Sequence, residues 1–271
     1  MLTLGRSLGH GAFGAVFEAE DEELGAIAVK VVPYRPDLPE RVASVILHPH
    51  LLRLLGVRRH GDDAHILMER LDGQQLLERV RPKRVVQARR ETLPLAFGQP
   101  LQEDGLSAFA PIDERGLSLL LPSLAQLASA LDALHGAGKV HRDVRPENVM
   151  ITRADRVVLI DFGMVIEEGV HDDLAGAPAY IAPDEAATSA SDWYSFGVLI
   201  FETLTGALPF AGTAQEVIVR KQTVAAPSPS FVVDLPPSAR PLDELCVKLL
   251  RRASKLRPTY AEICELLGDC T

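Results

Sequence analysis

Apolar and polar residues alternate in short runs over the first seventy positions, and glycines and charged residues separate these runs. Such alternation predicts β-strands, because successive side chains of a strand point to opposite faces. One short helix is predicted between Glu40 and Leu47, with Pro39 in its first turn, where a missing N–H costs nothing. The predicted strands cover residues 2–8, 15–19, 26–32 and 65–69.

The pattern changes after Gly73. From there, apolar residues recur every three or four positions, which predicts helices that each bury one face. The clearest helix covers residues 118–135, and Gly136 and Gly138 follow it as stop signals. Further helices are predicted over residues 192–204, 215–222, 242–250 and 260–267. Strands followed by helices, with a short glycine-containing connection, predict an α+β fold of two lobes with a cleft between them.

Composition limits the function classes. Hydrophobic residues make up 47% and charged residues 24% of the 271 positions, as in soluble globular proteins. The net charge of −9 disfavours a nucleic-acid partner. The longest uncharged stretch, 116–131, falls short of a membrane span, and the N-terminus lacks a signal pattern. We therefore expect a cytoplasmic protein without a membrane partner, and free thiols at Cys246, Cys264 and Cys270.

An insert is predicted at about residues 79–116, where the helical pattern is interrupted. Its second part, 91–116, contains Pro94, Pro100 and Pro111 together with Gly98 and Gly105, and is typical of a long loop or hairpin. Its first part contains six basic residues and no acidic ones: Arg79, Arg81, Lys83, Arg84, Arg89 and Arg90. This basic run is either a solvated face or a docking patch for an acidic partner.

Two motifs near the N-terminus suit phosphate binding. Gly9, Gly11 and Gly14 form a GxGxxG pattern between two predicted strands. In a β-hairpin, absent side chains would let backbone N–H groups approach phosphate oxygens. Lys30 ends the next apolar strand, Ala-Ile-Ala-Val-Lys, and its ammonium could bind phosphates. Taken alone, each motif is weak evidence, because glycines mark many turns and most lysines are solvated.

Two further motifs supply carboxylates and an amide. The stretch His-Arg-Asp-Val-Arg-Pro-Glu-Asn places Asp143 five residues before Asn148. Asp143 could accept the proton of a hydroxyl group, and the amide oxygen of Asn148 could bind a cation. Asp161, in an Asp-Phe-Gly triplet that follows an apolar strand, offers a second carboxylate for Mg²⁺.

These four motifs, in this order and spacing, resemble those of the protein kinase family, above all bacterial Ser/Thr kinases of the eukaryotic type. The resemblance continues through the stretches at 176–183, 192–197 and 257–259. It implies a bilobal protein kinase fold over residues 1–271. The expected parts are a β-rich N-lobe with one short helix at 1–69, a hinge at 70–72 and a helical C-lobe at 73–271.

The resemblance also implies site residues. Asp143 would be the catalytic base, Lys30 would pair with the α- and β-phosphates of ATP, and Asn148 and Asp161 would hold Mg²⁺. Arg145 would complete the catalytic set. Contacts to the nucleotide are implied for Gly9, Gly11, Phe13 and Gly14 over the phosphates, for Val16, Ala28 and Met150 around adenine, for Met68 as gatekeeper, and for the backbone of Glu69 and Leu71.

Several positions depart from the family pattern. The helix that normally supplies a glutamate to the lysine is cut short, and Glu40 is the best candidate partner for Lys30. The usual Lys two residues after the catalytic Asp is Arg145, and the Thr that normally reaches it is Ala177. This pair puts Ser/Thr specificity in question. Arg257 is expected to form an ion pair with Asp184 or Glu185.

The activation loop is unusual as well. Residues 164–179 contain no Ser, Thr or Tyr, although many family members need a phosphate there that pairs with the Arg before the catalytic Asp. Acidic residues are present instead at Glu167, Glu168, Asp172 and Asp173. We therefore expect activity without loop phosphorylation, with one of these acids near Arg142.

The sequence thus predicts an ATP- and Mg²⁺-dependent protein kinase that acts on Ser or Thr hydroxyls of protein substrates. Two alternatives stay open at this point. One is a nucleotide-binding regulatory pseudokinase, suggested by the shortened glutamate helix. The other is a kinase for a small molecule or peptide, suggested by Ala177 and the insert.

Overall fold

Five antiparallel strands form one sheet at the N-terminal end, in the order β1-β2-β3-β5-β4. Their bounds are Leu2–Gly11 (β1), Gly14–Asp21 (β2), Gly25–Pro33 (β3), Leu54–His60 (β4) and Asp63–Glu69 (β5). The four predicted strands are confirmed, and β4 was missed. Because β4 lies at the sheet edge and ends in the polar run Arg58-Arg59-His60, its sequence lacks the alternation that identified the others.

The computed structural model describes residues 2–11, 14–38, 46–81, 112–169, 177–184, 186–268 and 270. Phe13 and Glu40 lie outside these residues, as does most of the predicted short helix. Of that helix, Ile46 and Leu47 are described; both lie in a loop, and 80% of the surface of Leu47 is exposed.

The remainder of the chain is mainly helical. Its helices are Leu76–Val80 (α1), Glu114–Gly136 (α2), Ser189–Thr205 (α3), Ala214–Thr223 (α4), Pro229–Val232 (α5), Arg240–Leu249 (α6) and Tyr260–Leu267 (α7). Short strands accompany them: Gly73–Gln75 (β6), Lys139–Val140 (β7), Val149–Thr152 (β8), Val157–Leu159 (β9) and Ile166–Glu167 (β10). All five helices predicted after Gly73 are confirmed, within four residues at each end.

Helix α2 begins earlier than predicted. The Asp113 carboxylate accepts the N–H of Gly116 at 2.7 Å, which caps the helix and places residues 114–116 in its first turn rather than in the insert. Among the described helices, α2 alone is long and apolar enough to cross a membrane by length and composition. More than half of its apolar window, 56%, is buried inside the protein, as in a core helix.

The main hydrophobic core lies between α2, α3 and α6. Leu120, Leu124 and Leu131 of α2 are fully buried, and so are Phe196 and Phe201 of α3. Burying one such side chain contributes about 1.5–3 kcal/mol, so this helical core contributes much to the stability of the fold.

A loop before β4 ties the five-stranded sheet to the helical part. The N–H of Leu52 donates to the carbonyl of Leu159 at 3.0 Å, and the N–H of Leu159 donates to the carbonyl of His50 at 2.9 Å. An ion pair of 2.6 Å joins Glu69, at the end of β5, to Arg156 in the turn before β9. These contacts fix the position of the sheet over the helices.

The expectation of three free thiols was wrong for two cysteines. Cys264 and Cys270 form a disulfide with a Cα–Cα distance of 5.4 Å, which joins α7 to the chain just beyond it. Cys246 is free and fully buried, and burial raises the pKa of its thiol well above its usual value. The pairing could not be predicted from three cysteines of which any two could pair.

Two glycines of α2 should respond oppositely to the same substitution. A Cβ at Gly116 would lie 2.2 Å from the carbonyl oxygen of Val80, whereas a Cβ at Gly136 meets nothing within 4 Å. We expect Gly116→Ala to lower the free energy of unfolding by about 1–3 kcal/mol, because the clash forces α1 and α2 apart. Gly136→Ala should change it by less than about 0.5 kcal/mol. Urea unfolding monitored by circular dichroism checks both variants, and equal stabilities would contradict this packing.

Candidate active site

The glycine motif lies where β1 turns into β2. Gly9 pairs with Val16 and Gly11 with Gly14, so the motif forms the end of a hairpin, as predicted. Gly14 has φ +127°, and a Cβ there would lie 2.2 Å from the carbonyl oxygen of Val31. Gly14 is therefore required by the fold, whereas a Cβ at Gly9 would enter open space.

Lys30 and Asp161 are in direct contact. Lys30 lies on the central strand β3, and its Nζ is 2.7 Å from Oδ1 of Asp161. Asp161 has φ 64°, a left-handed conformation that is costly for a non-glycine residue, and its carboxylate accepts the N–H of Gly163 at 3.2 Å. Two residues that lie 131 positions apart in the sequence are thus brought to one point between the sheet and the helical part.

Asp143 and Asn148 form a second pair. Nδ2 of Asn148 donates to Oδ2 of Asp143 at 2.6 Å and to its backbone carbonyl at 2.9 Å. Both bonds are donated by the NH₂ group of the Asn148 amide. The amide oxygen, which is the atom that would bind a cation, takes no part in them. The base and the amide predicted from the sequence therefore share one site.

The loop that carries Asp143 is held by a buried carboxylate of α3. Asp192 is fully buried, and its two oxygens accept the N–H groups of His141 at 2.7 Å and Arg142 at 2.8 Å. Nε2 of His135 lies 2.9 Å from the same carboxylate. Arg142 has φ 68°, a strained conformation that these bonds hold in place.

The buried ring of His141 contacts the backbone of Asp143. Burial lowers the pKa of the His141 imidazole, although the carboxylates of Asp192, Asp143 and Asp161 oppose this shift. A neutral ring can accept a hydrogen bond, and Nδ1 of His141 lies 3.3 Å from the N–H of Asp143. The ring also packs edge-on against Phe162, at 5.7 Å between centroids, which connects the Asp143 loop to the Asp161 segment.

An apolar slot lies beside the Lys30 and Asp161 pair. Ala28, Met68 and Val158 are buried in one cluster, against which Val16 and Leu71 pack. Met150 is half-buried and pairs with Val158 across β8 and β9. The residues predicted to surround adenine are therefore gathered at one place, and a flat apolar ring is the kind of group that suits such a slot.

The side chain of Glu69 forms polar contacts, unlike the apolar residues of the slot. Its side chain accepts from Arg156 at 2.6 Å and from the N–H of Arg53 at 3.0 Å, so it bridges the sheet and the helical part. Only its backbone was predicted to contact adenine, and that prediction stays open.

Arg145 joins the Asp143 loop to Tyr180. Its Nε donates to Glu147 at 2.8 Å, and its guanidinium stacks on the ring of Tyr180 at 5.3 Å. The Tyr180 hydroxyl in turn donates to the half-buried Glu202. Ala177, which has no hydroxyl to offer, packs against the core instead.

The expected structural ion pair of Arg257 is confirmed and is formed with Asp184. Nη2 of Arg257 lies 3.1 Å from Oδ1 of Asp184, and the same guanidinium donates to the backbone carbonyl of Ala190 at 2.7 Å. Glu185, the other candidate, lies outside the described residues, and so does Glu40, the candidate partner for Lys30.

The donor set fits Mg²⁺ and ATP. Asp161 and Asn148 offer a carboxylate and an amide oxygen, the ligand types that Mg²⁺ prefers, and Lys30 supplies a positive charge for phosphates. Within the described residues, no cluster of three or more His, Cys, Asp or Glu side chains forms a complete metal site.

Loss of the Asp192 carboxylate should be costly. In Asp192→Ala, two buried N–H groups lose their acceptor, so we expect the free energy of unfolding to fall by about 2–6 kcal/mol. Asp132→Ala is the matched control, because Asp132 is an exposed acid on α2. Thermal melting of both variants checks this, and an unchanged melting temperature in Asp192→Ala would contradict the anchoring role.

Comparisons with known proteins agree with this geometry. The sequence model described as "Protein kinase domain" matches residues 2–266. The Serine/threonine-protein kinase pkn2 of Myxococcus xanthus is 30% identical over 250 residues, which cover 83% of this chain and 26% of that protein. The Serine/threonine-protein kinase PknA of Mycobacterium tuberculosis is 30% identical over 270 residues, which cover 89% of this chain and 55% of that protein.

A third relative matches over a shorter stretch. The Ribosomal protein S6 kinase alpha-2 of Mus musculus is 44% identical over 110 residues, 38% of this chain and 14% of that protein. The chain thus spans about half the length of PknA and a smaller share of the other two relatives. The family match nevertheless covers nearly the whole chain and includes both residue pairs of the site. This chain belongs to the protein kinase family.

Proposed function

We propose that this protein transfers the γ-phosphoryl group of ATP to Ser or Thr hydroxyls of protein substrates, with Mg²⁺ as cofactor. The observation that carries the proposal is the convergence of the Lys30–Asp161 and Asp143–Asn148 pairs beside one apolar slot. The relatives named as Ser/Thr kinases support the choice of acceptor.

Each of the four paired residues would have its own part in this reaction. Lys30 would pair with the α- and β-phosphate oxygens, and the glycine hairpin would cover them with backbone N–H groups. Asp143 would orient the substrate hydroxyl and accept its proton as the hydroxyl oxygen bonds to the γ-phosphorus and the bond to ADP breaks. Mg²⁺, held by Asn148 and Asp161, would neutralise phosphate charge. Positioning and charge neutralisation supply most of the rate enhancement.

Two substitutions separate binding from turnover. Asp143→Asn should lower kcat by about 100-fold or more, because the base is lost, and should leave ATP affinity nearly unchanged. Lys30→Met should lower both turnover and ATP affinity. The measurements are transfer from labelled ATP to a protein substrate and nucleotide binding by calorimetry, with the exposed Asp132→Asn as control. Wild-type kcat in Asp143→Asn, with unchanged melting, would refute the proposed base.

Activity without loop phosphorylation is also proposed. Glu167 pairs with Lys139 at 2.6 Å, and Glu168 accepts the N–H of Ser189 at 2.8 Å, at the start of α3. Two of the four loop acids thus attach the beginning of the loop to β7 and to the start of α3. The other two, Asp172 and Asp173, lie outside the described residues, and the proposed contact of an acid with Arg142 rests on them.

Phosphatase treatment tests this proposal. We expect the enzyme as purified and the phosphatase-treated enzyme to have the same kcat within error, because the acids already supply the negative charge. Intact-mass measurement confirms that the treatment is complete. A large loss of activity after treatment would show that a phosphate is required.

The basic run gives a proposal about partners. Arg79 pairs with Asp155 at 2.7 Å, and Arg81 is buried and donates to the carbonyl of Glu202 at the end of α3. These two are structural, so docking of an acidic partner would rest on Lys83, Arg84, Arg89 and Arg90, which lie outside the described residues.

A further inference from the structure

The segment Pro178–Ala179–Tyr180–Ile181 is tied to the helical core through every one of its backbone carbonyls. Nζ of Lys221 donates to the carbonyls of Pro178 at 2.6 Å, Ala179 at 2.7 Å and Ile181 at 2.6 Å. The fourth carbonyl, of Tyr180, accepts from Oγ of Ser195 at 2.8 Å. Four consecutive acceptors that turn inward to buried side chains leave this backbone little freedom to move.

Lys221 is unusual for a lysine. It lies on the last turn of α4 and is 4% exposed, on the same face as the buried Val217 one turn earlier. Lysines are almost never fully buried unless they are paired, and the partners here are carbonyls rather than a carboxylate. The neighbouring Asp184 is paired with Arg257, whose guanidinium lies 5.0 Å from the centre of the Tyr194 ring. Nζ of Lys221 contacts the same ring at 5.3 Å.

The geometry requires the charged form of Lys221. An ammonium has three N–H donors, one for each carbonyl, whereas a neutral amine has only two. Burial lowers the pKa of Lys221, and the three acceptors favour the proton that burial disfavours. Burying the Lys221 ammonium costs desolvation energy. We attribute its presence to its role in fixing the backbone of the 178–181 segment.

The fixed segment contacts the site directly. Tyr180 stacks under Arg145, which lies two residues after the proposed base Asp143. A shift of the 178–181 backbone would therefore move the guanidinium of Arg145 and the surface beside the acceptor hydroxyl. The bonds given above for the segment go to Ser195 and Glu202 of α3, to Lys221 of α4 and to Arg145, which lies on the Asp143 side of the site.

We propose that Lys221 is a positioning residue for the protein substrate, acting through the 178–181 segment and not through the nucleotide. This inference rests on the proposed kinase function, and it predicts different effects on use of the protein substrate and on ATP binding. Removing the ammonium should impair use of the protein substrate while ATP binding stays as in the wild type.

The test compares Lys221→Met with the wild type. We expect kcat/KM for a protein substrate to fall at least about tenfold, because three carbonyls lose a charged donor. The Kd for ATP should stay within about twofold of the wild-type value. Amide hydrogen exchange over residues 179–182 should become faster, and exchange over β3 should not. Lys255→Met is the matched control, because Lys255 is exposed.

Two milder variants decide the question if Lys221→Met does not fold. Lys221→Gln keeps two N–H donors and should give an intermediate loss, and Ser195→Ala removes the fourth tie and should give a smaller loss in the same direction. Unchanged hydrogen exchange and unchanged kcat/KM in the folded variants would overturn the proposal. An equal loss of ATP affinity would also overturn it, because the effect would then be general.

The exchange experiment also keeps the two proposals apart. If the wild type transfers no phosphoryl group, the proposed function fails, while faster exchange of residues 179–182 in Lys221→Met would still support the anchoring by Lys221. If the wild type is active and the variants match it, only the role of Lys221 fails.

Discussion

The buried carboxylate of Asp192 is the constraint on which the active site depends. A fully buried acid must be satisfied by donors, and here these are the backbone N–H groups of His141 and Arg142 and the ring of His135. The bonds force Arg142 into a left-handed conformation and thereby set the course of the chain into Asp143. The geometry of the proposed base is thus fixed by the helical core before any substrate binds.

The same helix also orders the segment beside the site. Along α3, Asp192 holds the catalytic loop, Ser195 holds the carbonyl of Tyr180, and Glu202 accepts from the Tyr180 hydroxyl. These three residues are spaced by three and seven positions, which places them on one face of the helix. One rigid helix thus positions two loops relative to each other, and Lys221 completes the attachment of the second loop from α4.

Much of this arrangement could be predicted from the sequence, because its signals are local. Alternation and helical spacing gave four of the five sheet strands and the large helices, and the motifs gave Lys30, Asp143, Asn148 and Asp161 as candidates that the fold gathers at one place. The edge strand β4 has no such alternation.

The role of Lys221 could not be predicted. A lysine on a helix is ordinarily solvated, and its three acceptors lie at least 40 positions away in the chain. The sequence also does not show that α2 begins after Asp113, inside the predicted insert. That start depends on one hydrogen bond, from the N–H of Gly116 to the Asp113 carboxylate. The pairing of Cys264 with Cys270 likewise depends on where the chain turns after α7.

The proposed function is phosphorylation of hydroxyl groups of proteins at this preformed site. The most direct measurement is incubation of the wild-type protein with γ-labelled ATP, Mg²⁺ and a generic protein substrate, followed by phosphoamino-acid analysis. We expect label in phosphoserine or phosphothreonine, and none when Mg²⁺ is chelated. Label in phosphotyrosine alone, or an unlabelled substrate together with intact ATP binding, would contradict it.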